Sequence, residues 1–262
     1  RRLDVLGALT LAGGIGTLTA ALVEGRQGWG RGIVLVLFAV AVVLLAAYTA
    51  TALRGREPMV DLRLLRRPVF ALSMLGSLIT GVAVIGVGSY LATLFQGVLG
   101  LSPVKSAGLL AFWSGSSVLA SVLVPRLAPR VRAQRQIALA LVVIAAGFGG
   151  LYGMDPGTPW QRLIPGLVVA GAGMGILNAA TARLAVESVP TDRAAMGAGA
   201  ANTARYTGAS LGGALVVVVV DSASGDTPVA ALAAGGDRVI LLGVALSLLG
   251  ALAALVVRDA RR

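Results

Sequence analysis

Ser188 to Val220 reads SVPTDRAAMGAGAANTARYTGASLGGALVVVVV. This apolar segment exceeds the roughly 20 residues that cross a bilayer as a helix, yet it contains Arg205. Arg205 lies roughly 18 Å along the helix axis from Arg193, at about 1.5 Å per residue, which is mid-membrane depth. Because an arginine that faces lipid there costs about 2.5–3.5 kcal/mol, we expect Arg205 to face protein or a water-filled path.

The helical face that carries Arg205 is formed by small residues at three- and four-residue spacing. Gly208 and Gly212 have the GxxxG spacing that lets a second helix approach closely. The other members of this face are Ala198, Ala201, Asn202 and Ala209. We predict a narrow, weakly polar face with one cation, turned toward a protein interior or a transport path. The alternative, in which Arg205 only ties helices together through carbonyl groups, stays open at this stage.

The composition indicates a polytopic membrane protein. Of the 262 residues 57% are hydrophobic and 13% are charged, and the mean hydropathy is +0.89, far above that of a soluble domain. The net charge of +11 comes from short arginine clusters between apolar runs, whereas nucleic-acid binding needs basic residues gathered on one soluble face. We therefore predict the lipid bilayer as a partner, and no nucleic acid.

The residue types present argue against an enzyme. Cysteine and histidine are absent, which removes thiolate chemistry, histidine acid–base catalysis and most zinc sites. The sole lysine, Lys105, belongs to a predicted outer segment, and no paired carboxylates lie at membrane depth. We predict no catalytic residues, no metal and no cofactor.

Hydropathy predicts an all-α membrane protein with eight transmembrane helices. The third and seventh are long enough to tilt or to project beyond the membrane. The predicted spans are Leu3–Val23, Gly32–Leu53, Val69–Phe95, Val104–Val124, Gln136–Met154, Leu163–Leu184, Ala194–Val220 and Val239–Val257.

The basic residues predict the orientation of these spans. With the amino terminus in the cytoplasm, inner segments hold sixteen of the 22 basic residues and outer segments hold five, while Arg205 is in the membrane. Both ends of the chain are thus expected to be cytoplasmic, in a plasma (inner) membrane. Trp29, Trp113 and Trp160 lie near predicted outer boundaries, as in an aromatic belt.

Acidic residues fall at predicted span ends or in loops, without a clear mid-membrane carboxylate. Proton-coupled pumps normally carry an intramembrane acid as a relay. The chain therefore lacks the proton-carrying part of such a machine, or works by facilitated diffusion.

The longest inner loop divides the chain into a leading helix pair, residues 1–53, and a six-helix bundle, residues 69–262. The linker between them, residues 54–68, contains Pro58 and five arginines and ends at Pro68. Its apolar spacing predicts a short amphipathic segment held on the cytoplasmic surface by anionic headgroups.

Four stretches of this chain carry a resemblance to a known family. They are EGRQGWG at Glu24–Gly30, EPMVDLRLLRRPVFA at Glu57–Ala71, VLGLSPVKSAG at Val98–Gly108 and VPTDRAAMGAGAANTAR at Val189–Arg205. Together, and in this order, they resemble the carboxyl-terminal part of the fourteen-helix drug:proton antiporters of the major facilitator superfamily.

The resemblance implies an organisation and a function. The leading pair would be the two-helix transmembrane insert between two six-helix halves, and residues 69–262 would be the carboxyl-terminal half. The amino-terminal six helices, with the family's coupling carboxylates, would be missing from this chain. Family members export lipophilic, often cationic compounds by alternating access, in exchange for protons. We expect a multidrug efflux transporter fragment, with a non-transporting scaffold or a decayed half-transporter as the alternative.

The candidate path and gate residues follow from the resemblance and from polar positions in the spans. Asn202 and Arg205 match the family's Asn-Thr-x-Arg stretch, and Gln96 matches a polar residue that ends the third span. Asn178 and Thr181 lie one turn apart in the sixth span, and Tyr206 offers an aromatic surface beside Arg205.

The loop PRLAPRVRAQR at Pro125–Arg135 is similar to the family's cytoplasmic gating loop. Arg126, Arg130 and Arg135 are its candidate gating residues. Pro129 stands where the family has an aspartate, which implies a weaker or differently latched gate. Plain positive-inside anchoring is the alternative explanation of this arginine cluster.

Overall fold

The computed structural model describes residues 5–25, 28–54, 62–127 and 131–256. Within these ranges the regular secondary structure is entirely helical. The α-helices are α1 Val5–Glu24, α2 Gly32–Arg54, α3 Pro68–Ile79, α4 Val87–Gly97, α5 Pro103–Leu127, α6 Ala133–Gly149, α7 Ile164–Glu187, α8 Ala194–Asp221 and α9 Pro228–Val256. The 3₁₀ turns are Leu62–Arg66, Trp160–Leu163 and Thr191–Arg193.

A π-helical segment, Thr80–Gly86, joins α3 to α4 without a break, so that Pro68–Gly97 is one continuous helical rod. This rod is the third predicted span. The π geometry was not predicted, because the apolar sequence TGVAVIG has no pattern that distinguishes i→i+5 from i→i+4 bonding.

Seven helical segments of the described chain are long and apolar enough to cross a membrane. Each of the eight predicted spans coincides with a helix, but α6 has only 17 residues and is shorter than the other seven. It ends at Gly149, five residues before the predicted boundary at Met154. Gly153, with a φ of 74°, then turns the chain in a left-handed conformation that glycine adopts without strain.

Helix α9 begins at Pro228, eleven residues before the predicted start at Val239. Sequence reasoning placed Asp237 and Arg238 at the end of a loop, and this assignment was wrong. The Asp237 carboxylate accepts a 2.8 Å hydrogen bond from the Gly153 backbone N–H, and Arg238 donates one of 2.8 Å to the Ser222 carbonyl. The first turn of α9 is capped by Thr227, whose Oγ1 accepts a 3.1 Å hydrogen bond from the Ala230 N–H.

The core of the bundle lies between the third-span rod and helices α6, α7 and α9. Its largest fully buried side chains include Phe95, Leu141, Ile144 and Phe148. Trp113 joins this core: its ring lies 5.7 Å from that of Phe148, and it is only 8% exposed. The expectation that Trp113 belongs to an interfacial belt was therefore wrong, whereas Trp29 and Trp160 are 45% and 43% exposed.

The leading helix pair packs mainly on itself and contacts the bundle through α1 and α8. Thr19 Oγ1 lies 3.3 Å from Ser210 Oγ across this contact. A salt bridge of 2.8 Å between Arg31 and Glu24 closes the turn between α1 and α2. Of the predicted linker, residues 55–61 lie outside the described residues, and Leu62–Arg66 form a 3₁₀ turn whose Leu64 is buried.

Candidate functional site

Helix α8 packs backbone to backbone against the third-span rod, as its GxxxG spacing predicts. A Cβ atom added at Gly208 would collide with the Leu78 carbonyl oxygen, and one at Gly212 with the Val82 carbonyl oxygen. A Cβ atom at Gly81, in the π segment, would collide with the Arg205 carbonyl oxygen. The contacting residue numbers rise together, so α8 and the rod run parallel.

The backbone of Arg205 therefore contacts the π segment, and its side chain is partly buried. Its Nε atom is inaccessible and has no hydrogen-bond partner among the residues that the structure describes. Arg205 is thus a mid-span cation that no described acidic side chain neutralises.

Asn178 and Thr181, one turn apart on α7, have different surroundings. Thr181 is fully buried, and its hydroxyl donates a 2.7 Å bond to the Leu177 carbonyl in its own helix. Its own carbonyl accepts a 3.3 Å bond from Ser73 Oγ on α3. Thr181 therefore joins α3 to α7, whereas Asn178 is partly buried and its Oδ1 has no partner within the described residues.

Ser77 is a polar residue of this region that the sequence analysis missed. It is 0% exposed on α3, and its Oγ also lacks a hydrogen-bond partner within the described chain. Its signal was present in the sequence, because Ser73, Ser77 and Gly81 recur every four residues and so share one helical face.

Two of the predicted path residues lie on the exposed side of α8. Asn202 is exposed and Tyr206 is 65% exposed, and both lie within one turn of Arg205. Gln96 is exposed near the end of α4. It follows Gly81, which contacts Arg205, by fifteen residues or roughly 22 Å along the rod, so the fold does not bring it to the Arg205 level.

The predicted gating residues are only partly described. Arg130 lies outside the described residues, and Arg126 is described only as backbone within α5. Arg135 is exposed in the first turn of α6. Their role in a gate stays a prediction.

A cavity of 230 Å³ opens where the π segment and α4 meet α5 and α7. Trp113, Met174 and Ser89 are among its lining residues, and the Trp113 indole N–H donates to Met174 Sδ over 3.1 Å. A second cavity, of 240 Å³, lies between the leading pair and the bundle. It is lined by Leu11, Tyr48, Leu65, Phe70, Met74, Ala200, Thr203 and Ala204.

Long apolar helices, backbone contacts at glycines and a mid-span cation define a polytopic membrane protein built around closely packed helices. Residues 2–213 match the Major Facilitator Superfamily, and the chain therefore belongs to this family of multi-pass membrane transporters.

The curated relatives include proteins named for antibiotic resistance or export. The chain is 30% identical over 227 residues to the puromycin resistance protein pur8 of Streptomyces alboniger, covering 85% of this chain and 45% of that protein. It is 28% identical over 253 residues to a probable actinorhodin transporter of Streptomyces coelicolor, covering 90% and 42%. It is also 28% identical over 217 residues to the multidrug resistance protein Stp of Mycobacterium tuberculosis, covering 82% and 40%. The chain thus spans less than half the length of these relatives.

Among solved structures, the nucleoside transporter NupG matches with a TM-score of 0.59 and 16% identity, over 92% of this chain and 65% of that chain. This likeness concerns the fold. Because residues 68–256 are too few to account for 92% of the chain, the match extends into the leading helix pair.

Proposed function

We propose that this chain is part of a major facilitator exporter of small lipophilic compounds, working by alternating access with proton antiport. The names of the relatives, which refer to puromycin resistance, actinorhodin transport and multidrug resistance, support the substrate class. The membership in a transporter family supports the mode of action.

One observation carries the proposal: α8 has a packed face and an exposed polar face at the same depth. Gly208 and Gly212 hold it against the third-span rod, while Asn202 and Tyr206 remain exposed beside Arg205. Polar groups at mid-membrane depth are too costly to face lipid. The exposed face of α8 therefore lines a water-filled path or contacts another part of the transporter.

We place eight crossings in the chain, as a leading pair and a six-helix bundle with both ends in the cytoplasm of a plasma membrane. The 17 residues of α6 fall within the range of about 17–25 residues that transmembrane helices use. The share of each relative that the chain covers supports a further six helices elsewhere in the transporter, carrying the proton-coupling carboxylates.

Within this proposal the candidate residues have different roles. Arg205, Asn202, Tyr206 and Asn178 line the path, whereas Thr181 joins α7 to α3 beside it. Gln96 lies toward the outer end of the path, and the cytoplasmic arginines form the gate. These arginines are Arg126, Arg130 and Arg135.

An efflux assay tests the proposed function. The full-length gene product, expressed in cells that lack their own exporters, is expected to expel ethidium faster than an empty vector. Arg205→Ala is expected to abolish this efflux at an unchanged level of membrane-inserted protein. Arg183→Ala is the matched control, because Arg183 makes a surface pair of 3.2 Å with Glu187 on α7. Normal efflux by Arg205→Ala would remove Arg205 from the path, and no efflux by the wild type would reject the exporter.

A further inference from the structure

Five buried side-chain atoms of the described chain have no hydrogen-bond partner, and three of them belong to helices that contact one another. They are Ser77 Oγ on α3, Asn178 Oδ1 on α7 and Arg205 Nε on α8. Buried polar atoms are nearly always hydrogen-bonded in native proteins, so a group of such atoms indicates a partner that the described chain does not supply.

The helix contacts place the three residues at one level of the bundle. Gly81 and Leu78 of the rod contact Arg205 and Gly208 of α8, which places Ser77 beside the Arg205 turn. A Cβ atom at Gly76 would lie 3.0 Å from Thr181 Cγ2, so Ser77 also lies near the turn of α7 that contains Asn178.

The contact between α7 and α8 gives the same register independently. A Cβ atom at Gly197 would collide with the Ala185 carbonyl oxygen. A short turn joins the two helices, so they run antiparallel, and seven residues along each from this contact lead to Asn178 and to Ala204, the neighbour of Arg205. The three residues therefore lie at one level of the junction between α3, α7 and α8, which contact one another in pairs.

The charges around this junction specify the missing partner. Asp221 follows Arg205 by sixteen residues in α8, roughly 24 Å away. Glu187 is paired with Arg183, and Asp237 binds the Gly153 N–H. The guanidinium thus remains without a counter-ion among the described residues.

The hydrogen-bond donors at the junction indicate which kind of anion would bind there. A guanidinium presents a planar fork of N–H groups that matches a carboxylate, and a serine hydroxyl donates one more hydrogen bond. A flip of the Asn178 side-chain amide exchanges its two terminal atoms and places the NH₂ donor where the unpaired Oδ1 atom lies. We propose that Ser77, Asn178 and Arg205 form an oxyanion site that takes a carboxylate.

This site deepens the proposed function and rests on it, because it specifies a chemical group that the transport path holds. Two sources share this chemistry. One is the acidic group of a lipophilic substrate, and the other is an aspartate or glutamate from the part of the transporter outside this chain. In both cases the site itself binds an anion. Ethidium, a cation, therefore binds elsewhere in the path, and its export depends on Arg205 where the occupant is a carboxylate of the transporter.

A binding measurement tests the site without requiring transport, so its outcome is separate from that of the efflux assay. The purified chain in detergent is heated with cyclohexanecarboxylate or with the neutral cyclohexanecarboxamide, at equal ionic strength. The carboxylate is expected to raise the melting temperature by about 5–10 °C at roughly 100 times its Kd, and the amide is not. Equal shifts with both compounds would overturn the proposal.

Variants assign the effect to the three residues. Arg205→Gln is expected to lose the carboxylate response, and Ser77→Ala to weaken carboxylate binding about tenfold through the lost bond to a charged group. Arg183→Gln is the control for a lost positive charge and is expected to respond like the wild type. An undiminished response in Arg205→Gln would overturn the site.

Asn178→Asp keeps the test decisive if Arg205→Gln does not fold. Its new carboxylate is expected to pair with Arg205, raise the melting temperature without ligand and abolish the response to the added carboxylate. A retained response in this variant would contradict the proposed geometry.

The full-length product distinguishes the two sources. A carboxylate response like that of the chain alone would support a substrate acid as the occupant. A response in the chain that disappears in the full-length product would support a carboxylate side chain of the protein itself.

Discussion

Gly208 contacts the rod through its backbone, and this contact sets the position of Arg205 one turn earlier. Alanine at position 208 would press its methyl group against the Leu78 carbonyl oxygen, a backbone atom that cannot move aside by rotating a side chain. We expect Gly208→Ala to lower the free energy of unfolding by about 1–3 kcal/mol through overpacking.

Gly199→Ala is the matched control on the same helix. A Cβ atom there meets nothing within 4 Å, so alanine is expected to be neutral or to stabilise α8 by up to about 1 kcal/mol through its higher helix propensity. Thermal unfolding of the two purified variants in detergent measures the difference. Similar melting temperatures for both would mean that the α8–rod contact is looser than the structure shows.

Sequence reasoning at the residue scale succeeded where spacing carries the information. The GxxxG spacing correctly predicted the packed face of α8, because small residues at i and i+4 identify such a face from the sequence of the helix alone. Ser77 and the burial of Trp113 were missed, since each depends on which other helix lies opposite. A hydropathy pattern does not specify that partner.

Helix α9 shows the same distinction at the scale of an element. Its first eleven residues, Pro228–Arg238, read as a loop because two glycines and two charges follow a proline-initiated segment. They are helical because Thr227 caps the first turn, accepting a 3.1 Å hydrogen bond from the Ala230 N–H, and Pro228 suits the first helical position. Asp237 and Arg238 then bind neighbouring backbone groups. The Thr227–Pro228 start is a local signal that the hydropathy pattern does not include, whereas the π segment has no signal in its own sequence.

The Asp237 contact leads to a test of how α9 is held. Asp237→Ala leaves the Gly153 N–H without its charge-assisted bond, and we expect a loss of about 1–2 kcal/mol in the free energy of unfolding. Hydrogen exchange at Gly153 is expected to accelerate. Asp226→Ala, in the exposed turn before α9, is the control and is expected to change neither quantity. Unchanged exchange at Gly153 in Asp237→Ala would show that the contact does not hold the start of α9.

At the scale of the whole molecule, the number of crossings depends on α6. Seven helices satisfy the length and hydropathy of a span, and α6 is about 25 Å long at roughly 1.5 Å per residue. A short hydrophobic helix is accommodated by local thinning of the bilayer at a modest cost. The positive-inside bias favours crossing, because it decides the side of every segment after α6. A crossing puts Arg183, Arg193 and the last three arginines in the cytoplasm and only Arg162 and Arg238 outside.

Because the chain contains no cysteine, single introduced cysteines report its topology without background. Ser102 and Arg67 are exposed reference positions before α6, expected outside and inside respectively. Asp155, exposed after α6, and Glu187, exposed at the end of α7, test the crossing itself. In intact cells, a membrane-impermeant maleimide is expected to label Ser102→Cys and Asp155→Cys. Arg67→Cys and Glu187→Cys are expected to react only after the membrane is opened. If instead Glu187→Cys is labelled in intact cells and Asp155→Cys is not, with the two references unchanged, α6 lies within the bundle without crossing. The arrangement of a helix pair plus six helices would then be wrong.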